Sequence, residues 1–308
     1  MPMRPHYLQD TALRYFFEVA QCGSLTEASH RLHVAASALS RQIAALESQV
    51  GQALFERHPR GMVLTPAGDI LASHVRRTLL DAERTLGEID ALQGLYAGRI
   101  RLATSDAFAN ELIPRLCVDF QQRYSGIEFQ VLNLPTAQVS EAVRTGAAEI
   151  GLCFSLLPQK NLRVVYRQSA PVLALLPPGH TLMAYRTLTL AQLSLYALAL
   201  PPAETAIRQI VDKACQQQGL QLSPVLESNN ARALQHFVAQ GGGVSVSSEI
   251  SARHLLASGT LVARPLTDAG LDLRDIEVQV LQGRQLPLAA QAFLELLEQR
   301  LPTPSHPG

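Results

Sequence analysis

The sequence predicts a mixed α/β protein: a small helical head ending in a two-stranded wing, one long helix, then two α/β lobes. Three observations carry this. Residues 11–66 read as short glycine-terminated helices followed by a hairpin. A single helical pattern then runs from Thr65 to about Tyr96. From Gly98 onward strands and helices alternate, which is the pattern of parallel strands joined by helical crossovers.

The bulk properties agree. A chain of 308 residues is long for one domain and suggests two or three. A 47% hydrophobic content is enough for sizeable cores. A formal net charge of zero excludes indiscriminate coating of nucleic acid, but permits a local basic surface. Nearly all the positive charge is arginine, since Lys160 and Lys213 are the only lysines. The apolar runs "APVLALLPPG" and "LSLYALALPP" stop at prolines, so no membrane span is expected. The start, MPMRPHYLQD, lacks the apolar core of a signal peptide, which makes a cytoplasmic protein the expectation. Cys22, Cys117, Cys153 and Cys215 lie far apart with no CxxC, so buried thiols are expected rather than a metal site or a disulfide framework.

In the head, "TALRYFFEVAQCG" places Leu13, Phe16, Phe17 and Ala20 on one helical face and stops at Gly23. "SLTE" follows as a capping box, with Ser24 as cap and Glu27 three residues on. A second helix runs through Ala28 to Leu32. A third carries Leu39, Ile43, Leu46 and Val50 on its apolar line and ends at Gly51. "LFERHPRGMVL" has apolar ends around a Pro/Gly tip and reads as the wing.

Thr65 and Pro66 open the long helix as cap and first helical residue. Leu71, Val75, Thr78, Ala82, Thr85, Ile89, Leu92 and Tyr96 alternate spacings of four and three, a heptad seam with two threonines in it. Leu79 and Leu86 add a second apolar line. One small head cannot cover both lines, so a homodimer through this helix is expected. The domain plan is 1–66 for the head, 67–97 for the linker helix and 98–308 for the lobes.

"RIRLAT", "NELIPRLCVDFQQRY", "IEFQVLNL", "TAQVSEAVRTG" and "AEIGLCF" alternate strand and helix, and a second such run begins near "APVLALLP". The strand "LRDIEVQVLQ" and the helix "PLAAQAFLELLEQR" close the chain and return to the first lobe. The first lobe is expected at about 98–167 and 267–300, the second at about 168–266. Catalytic motifs are missing: "GVSVS" lacks the last glycine of GxSxG, Gly241 to Gly243 precede no GK[ST], and there is no HExxH. An enzyme is therefore not expected. A hydrolase or a two-lobed small-molecule-binding protein stands as the weaker alternative.

"SLTEASHRLHVAASALSRQIAALESQVGQALFER", with "RGMVLTPAG" and the long helix after it, resembles the LysR-type transcriptional regulators. "LLPPGHTLM" and the glycine-rich turn before "VSVSS" fit the same family, and the resemblance spans about residues 10–300. It implies a winged helix-turn-helix, a linker helix and two Rossmann-like lobes of periplasmic-binding-protein type. It also implies a sequence-specific DNA-binding regulator that is a homodimer and usually a tetramer. Ala35, Ala36 and Ser37 stand where the family usually has Ser, Gln and Pro, so the operator cannot be inferred from relatives.

In a helix-turn-helix the second helix presents its N-terminal residues to base edges. That makes Ala36, Ser37, Ser40, Arg41 and Ala44 the expected DNA-facing residues, with Arg57 and Arg60 of the wing on the backbone or minor groove. Between two lobes, ligands sit at strand ends and helix starts. The candidates are Thr104, Ser105, Asn133, Thr136, Thr205, Ile207 and Arg208. Positions equivalent to Ser105, Thr136 and Ile207 line the pocket in family members with aromatic-acid effectors. Hydroxyls and helix N-termini suit a carboxylate or other anion. A small-molecule co-inducer is expected and no other cofactor.

Overall fold

A computed structural model describes residues 10–58, 61–91, 98–156, 159, 161–272 and 274–301. The chain divides into two units, one of residues 1–95 with 283–288, the other of residues 96–282 with 289–308.

In the first unit, α1 (Thr11–Cys22), α2 (Leu25–Leu32) and α3 (Ala36–Val50) form the head, followed by strands β1 (Phe55–His58) and β2 (Gly61–Leu64). The amphipathic spacing decides the core: Phe16, Phe17, Val19, Ala28, Leu39, Ile43, Leu46, Leu54 and Phe55 are buried together. Val50 departs from its expected place on the α3 apolar line and is 46% exposed, because α3 ends there at Gly51. The capping box forms by half. Ser24 Oγ accepts the Glu27 N–H at 3.4 Å, while the Glu27 carboxylate turns to Arg31 at 3.2 Å.

The long helix is α4 (Pro66–Ala91). Its first turns do not extend the seam outward: Ala72 and Val75 are buried in the head core, with Leu71 and Leu79 packed against it. Intramolecular burial therefore absorbs the N-terminal part of the predicted seam. Ile89 remains 51% exposed further along. Thr78 and Thr85 donate their hydroxyls back to the carbonyls of His74 and Asp81. Leu92 and Tyr96 of the seam lie outside the described residues.

The second unit holds two lobes. The first has β3 (Gly98–Thr104), α5 (Asp106–Ala109), α6 (Leu112–Gln121), β4 (Ile127–Asn133), α7 (Thr136–Arg144), β5 (Ile150–Ser155) and β6 (Leu162–Ser169). The second has β7 (Leu173–Leu176), α8 (Leu190–Leu193), β8 (Leu198–Leu200), α9 (Ala206–Gln217), β9 (Pro224–Glu227), α10 (Ala231–Ala239), β10 (Val244–Ser247), α11 (Glu249–Ala257) and β11 (Val262–Pro265). Then β12 (Asp275–Leu281) and α12 (Leu288–Arg300) follow.

The first-lobe sheet runs β4-β3-β5-β12-β6 and the second β11-β7-β10-β8-β9. Strand β3 is parallel to β4 and β5, whereas β12 is antiparallel to both β5 and β6. The last strand thus returns to the first lobe, and Phe293 of α12 packs there on Phe120 and Phe129, with ring centroids 5.4 and 5.1 Å away. Two crossovers join the lobes and pair with each other. Ala170 N–H donates to the Arg274 carbonyl at 2.8 Å, and Val172 N–H to the Leu271 carbonyl at 3.0 Å. Both Val172 and Leu271 belong to the second-lobe core, so the return crossover lies beyond Leu271 rather than near residue 267.

Candidate nucleic-acid interface and ligand cleft

Helix α2 ends at His33 in the left-handed region (φ 54°), which turns the chain into α3 within a few residues. Burying Leu39, Ile43 and Leu46 orients α3, so Ala36, Ser37, Arg41 and Ala44 are exposed on its other side and Ser40 is half-buried. The cap position is Ala35, which supplies no side-chain hydrogen bond. The first amides of α3 thus lack a side-chain cap, and such amides favour an adjacent phosphate.

Two contacts hold the wing on the head, one to α3 and one to the end of α1. Glu47 Oε1 accepts the N–H groups of Leu54 and Phe55 at 2.8 and 3.2 Å. Met62 N–H donates to the Gly23 carbonyl at 2.7 Å, an approach that requires glycine at position 61. Gly61 has φ 133°, and a Cβ there would lie 2.3 Å from that same carbonyl oxygen. Arg57 Nη2 then reaches Ser40 Oγ at 3.5 Å, which brings wing and helix donors onto one face. Among the described residues no carboxylate pairs with Arg41 or Arg57, whereas Arg31 is paired with Glu27 and Glu18. Arg60 lies outside the described residues. Glu47 was missed by sequence reasoning, because a carboxylate near a helix end reads as an ordinary solvated residue.

The two lobes meet beyond the C-terminal end of β3, where Asp106 and Asn110 bond Ala231 and Arg232 of the second lobe. The expected ligand residues fare differently there. Thr104 is buried, and its hydroxyl donates to the Leu152 carbonyl at 3.0 Å, a contact inside the sheet. Ser105 stands at the cap position of α5 without a cap bond, its Oγ buried and unpartnered. Asn133 Nδ2 donates to Asp106 Oδ1 at 3.3 Å. Thr136 is the first residue of α7. Thr205 caps α9 by position only, its hydroxyl donating to the Pro202 carbonyl at 2.7 Å. Ile207 packs on the second-lobe core. Arg208 is already neutralised by Asp212 at 2.7 Å and Glu227 at 3.3 Å.

Three residues near the meeting of the lobes were not singled out by the sequence. Asp106 Oδ2 accepts the Ala231 N–H of the opposite lobe at 2.9 Å. Ser248 Oγ, at the start of α11, is buried without a partner, and α11 packs against α5. Arg274, 2% exposed, lies with its guanidinium carbon 4.0 Å from the centre of the Phe154 ring and, among the described residues, donates to the Ala170 carbonyl, at 3.3 and 3.4 Å. Burial pushes its pKa down to about 9, so it still carries its charge at neutral pH. Asp106 and Arg274 were illegible because the partners Ala231 and Ala170 lie 125 and 104 positions away, and Ser248 because its burial is set only by packing.

Ser245 of "GVSVS" is 1% exposed in β10 and donates to the Ala199 carbonyl at 2.6 Å, so it is a buried strand residue. No described helix is long and apolar enough to cross a membrane.

Residues 11–69 match the bacterial regulatory helix-turn-helix protein, lysR family, and residues 93–302 match the LysR substrate binding domain. The chain is 29% identical over 288 residues to the RuBisCO operon transcriptional regulator of Allochromatium vinosum, covering 92% of this chain and 94% of that one. It is 25% identical over 252 residues to the transcriptional activator protein LysR of Escherichia coli, covering 82% and 81%. In fold it is similar to a full-length OxyR variant from Pseudomonas aeruginosa (TM-score 0.64, 22% identity, 93% and 92% covered). It is also similar to the effector binding domain of QuiR in complex with shikimate (TM-score 0.54, 16% identity, 65% and 95% covered).

Proposed function

The chain belongs to the LysR-type family of transcriptional regulators, and from that premise we propose how its residues divide the work. It is a DNA-binding regulator with an effector-binding domain. We infer that α3 enters the major groove, with Ser37, Ser40 and Arg41 at base edges and Ala36 and Ala44 allowing close approach. Arg57 and Arg60 of the wing take the backbone or minor groove. The observation that carries this reading is the shared face of α3 and the wing, where Arg57 meets Ser40 and, among the described residues, no carboxylate pairs with Arg41. The test is a footprint on genomic fragments recovered with the protein. Protection should span two half-sites related by two-fold symmetry, and a single unpaired half-site would overturn the dimeric reading.

A homodimer through α4 fits the exposed part of the seam, and a tetramer of two dimers would take its second interface from the lobes. The effector is a small carboxylate or similar anion held between the lobes, in keeping with shikimate in QuiR. It acts by binding one lobe arrangement better than another, which re-spaces the DNA-binding pairs. The protein works in the cytoplasm, with no cofactor besides this ligand and no catalysis.

A further inference from the structure

We propose that His33 is a DNA-contacting residue that gains a proton on binding, so that operator affinity rises as pH falls; the proposal rests on α3 being the recognition helix. The charge of the head leaves room for such a residue. Residues 10–64 hold five arginines, five carboxylates and no lysine. Phosphates are bound chiefly by positive charge on the contact face. With its formal charge balanced, the head becomes net positive only through its three histidines, His30, His33 and His58. Imidazole is the side chain whose charge changes within the physiological range, and a nearby phosphate favours the charged form.

The backbone singles out His33 among the three. Each of α1, α2 and α3 ends on a left-handed residue. For α1 and α3 it is glycine, Gly23 at φ 65° and Gly51 at φ 74°, which takes this conformation without a steric clash. For α2 it is His33, at φ 54°. The Val34 N–H donates to the Ser29 carbonyl at 3.1 Å and Val34 packs on the head core, so the turn itself needs no imidazole. The His33 side chain is exposed and makes no hydrogen bond or ion pair among the described residues. It stands three positions before Ala36, where α3 begins, and Ala35 and Ala36 bring no polar side chain to that edge. A side chain kept in a strained backbone position, and not used by the fold, points to a role in binding. The surrounding charges leave it open to an outside anion. Helix α2 packs on α1 and α3, and the carboxylates of these elements are already held: Asp10 by the Ala12 amide, Glu18 and Glu27 by Arg31, and Glu47 by the amides of Leu54 and Phe55. The cations on them are Arg14, Arg31 and Arg41, and the other titratable groups are His30, Tyr15 and Cys22. His58, by contrast, lies 3.2 Å from Glu56, so its proton has a partner within the chain. The DNA backbone supplies the anion that His33 lacks.

The test uses the full-length protein and the operator fragment recovered with it. Gel shifts at fixed salt run from about pH 8 to about pH 6, the range in which imidazole titrates. The main variant is His33→Asn, because asparagine also tolerates the left-handed turn but does not titrate there. His33→Gly, which repeats the residue of the other two caps, is the second. His30→Gln, His58→Asn and Arg41→Ala are run beside them. Wild-type affinity should rise several-fold as pH falls across this range. Both His33 variants should flatten that rise and match wild type at the alkaline end, while His30→Gln and His58→Asn keep it. A wild-type affinity independent of pH, an undiminished pH dependence in both His33 variants, or its loss in His30→Gln or His58→Asn instead would overturn the proposal while leaving α3 in the groove. Equal binding by Arg41→Ala and wild type at every pH would overturn the placement of α3, and the proposal with it.

Discussion

The Asp106 carboxylate of the first lobe accepts the Ala231 N–H of the second at 2.9 Å, and its other oxygen takes the side-chain amides of Asn110 and Asn133 at 3.1 and 3.3 Å. Arg232 adds a second link across the cleft to the Asn110 carbonyl at 3.3 Å. The first turn of α10 is thus held by an acidic side chain from the opposite lobe, where a carboxylate complements its free amides. Asp106→Ala should release this tie, worth about 1 kcal/mol for a half-exposed hydrogen bond. Amide exchange at residues 231–234 should quicken several-fold while the rest of the unit is unchanged. Unaltered exchange there would mean the lobes are held by other contacts.

Arg41→Ala should weaken binding to the recovered operator by about 1–3 kcal/mol at fixed salt, as expected for loss of a base-edge contact. Arg57→Ala should instead weaken all DNA alike and lower the slope of log K against log salt by about one. Gel shifts at several salt concentrations separate the two. Equal slopes for Arg57→Ala and wild type would remove Arg57 from the phosphate contacts.

Glu47→Ala leaves the amides of Leu54 and Phe55 without their shared acceptor in a buried corner of the head. The expected cost is about 1–3 kcal/mol of stability for the isolated transition of this unit. Glu47→Gln, which keeps one acceptor oxygen, should recover part of it. Thermal melts of the three proteins provide the comparison.

Ile89→Glu places a charge on the exposed part of the α4 seam. Sedimentation should show a shift from dimer toward monomer, since a charge in a coiled-coil seam opposes pairing. Loss of DNA binding should follow in parallel. A dimer of unchanged strength would place the contact elsewhere.

Burial pushes the Cys117 and Cys215 thiols up to about 11 and the Cys153 thiol up to about 12. A raised thiol pKa means protonation at neutral pH, and only about one part in ten thousand is thiolate at pH 7 for a pKa of 11. These three should resist a thiol reagent in the native protein and react after unfolding. Fast native labelling of Cys153 would contradict its burial in β5.

Periodicity determined most of the fold. Leu39, Ile43 and Leu46 at helical spacing orient α3, Gly23 and Gly51 stop helices where predicted, and alternation of strand and helix from Gly98 specifies the parallel strands. These signals are local, so they are written within a few residues of where they act. The exposed face of α3 was legible for the same reason. Tertiary structure decided the rest. Only packing showed that Val75 belongs to the head core rather than to a free seam, and that Arg208 is neutralised by Glu227, nineteen positions away. Only packing set Arg274 against Ala170, 104 positions apart, and Asp106 against Ala231, 125 positions apart. Charge compensation depends on which groups meet in space after folding. A sequence lists its charges, but which of them are neutralised is decided by the fold.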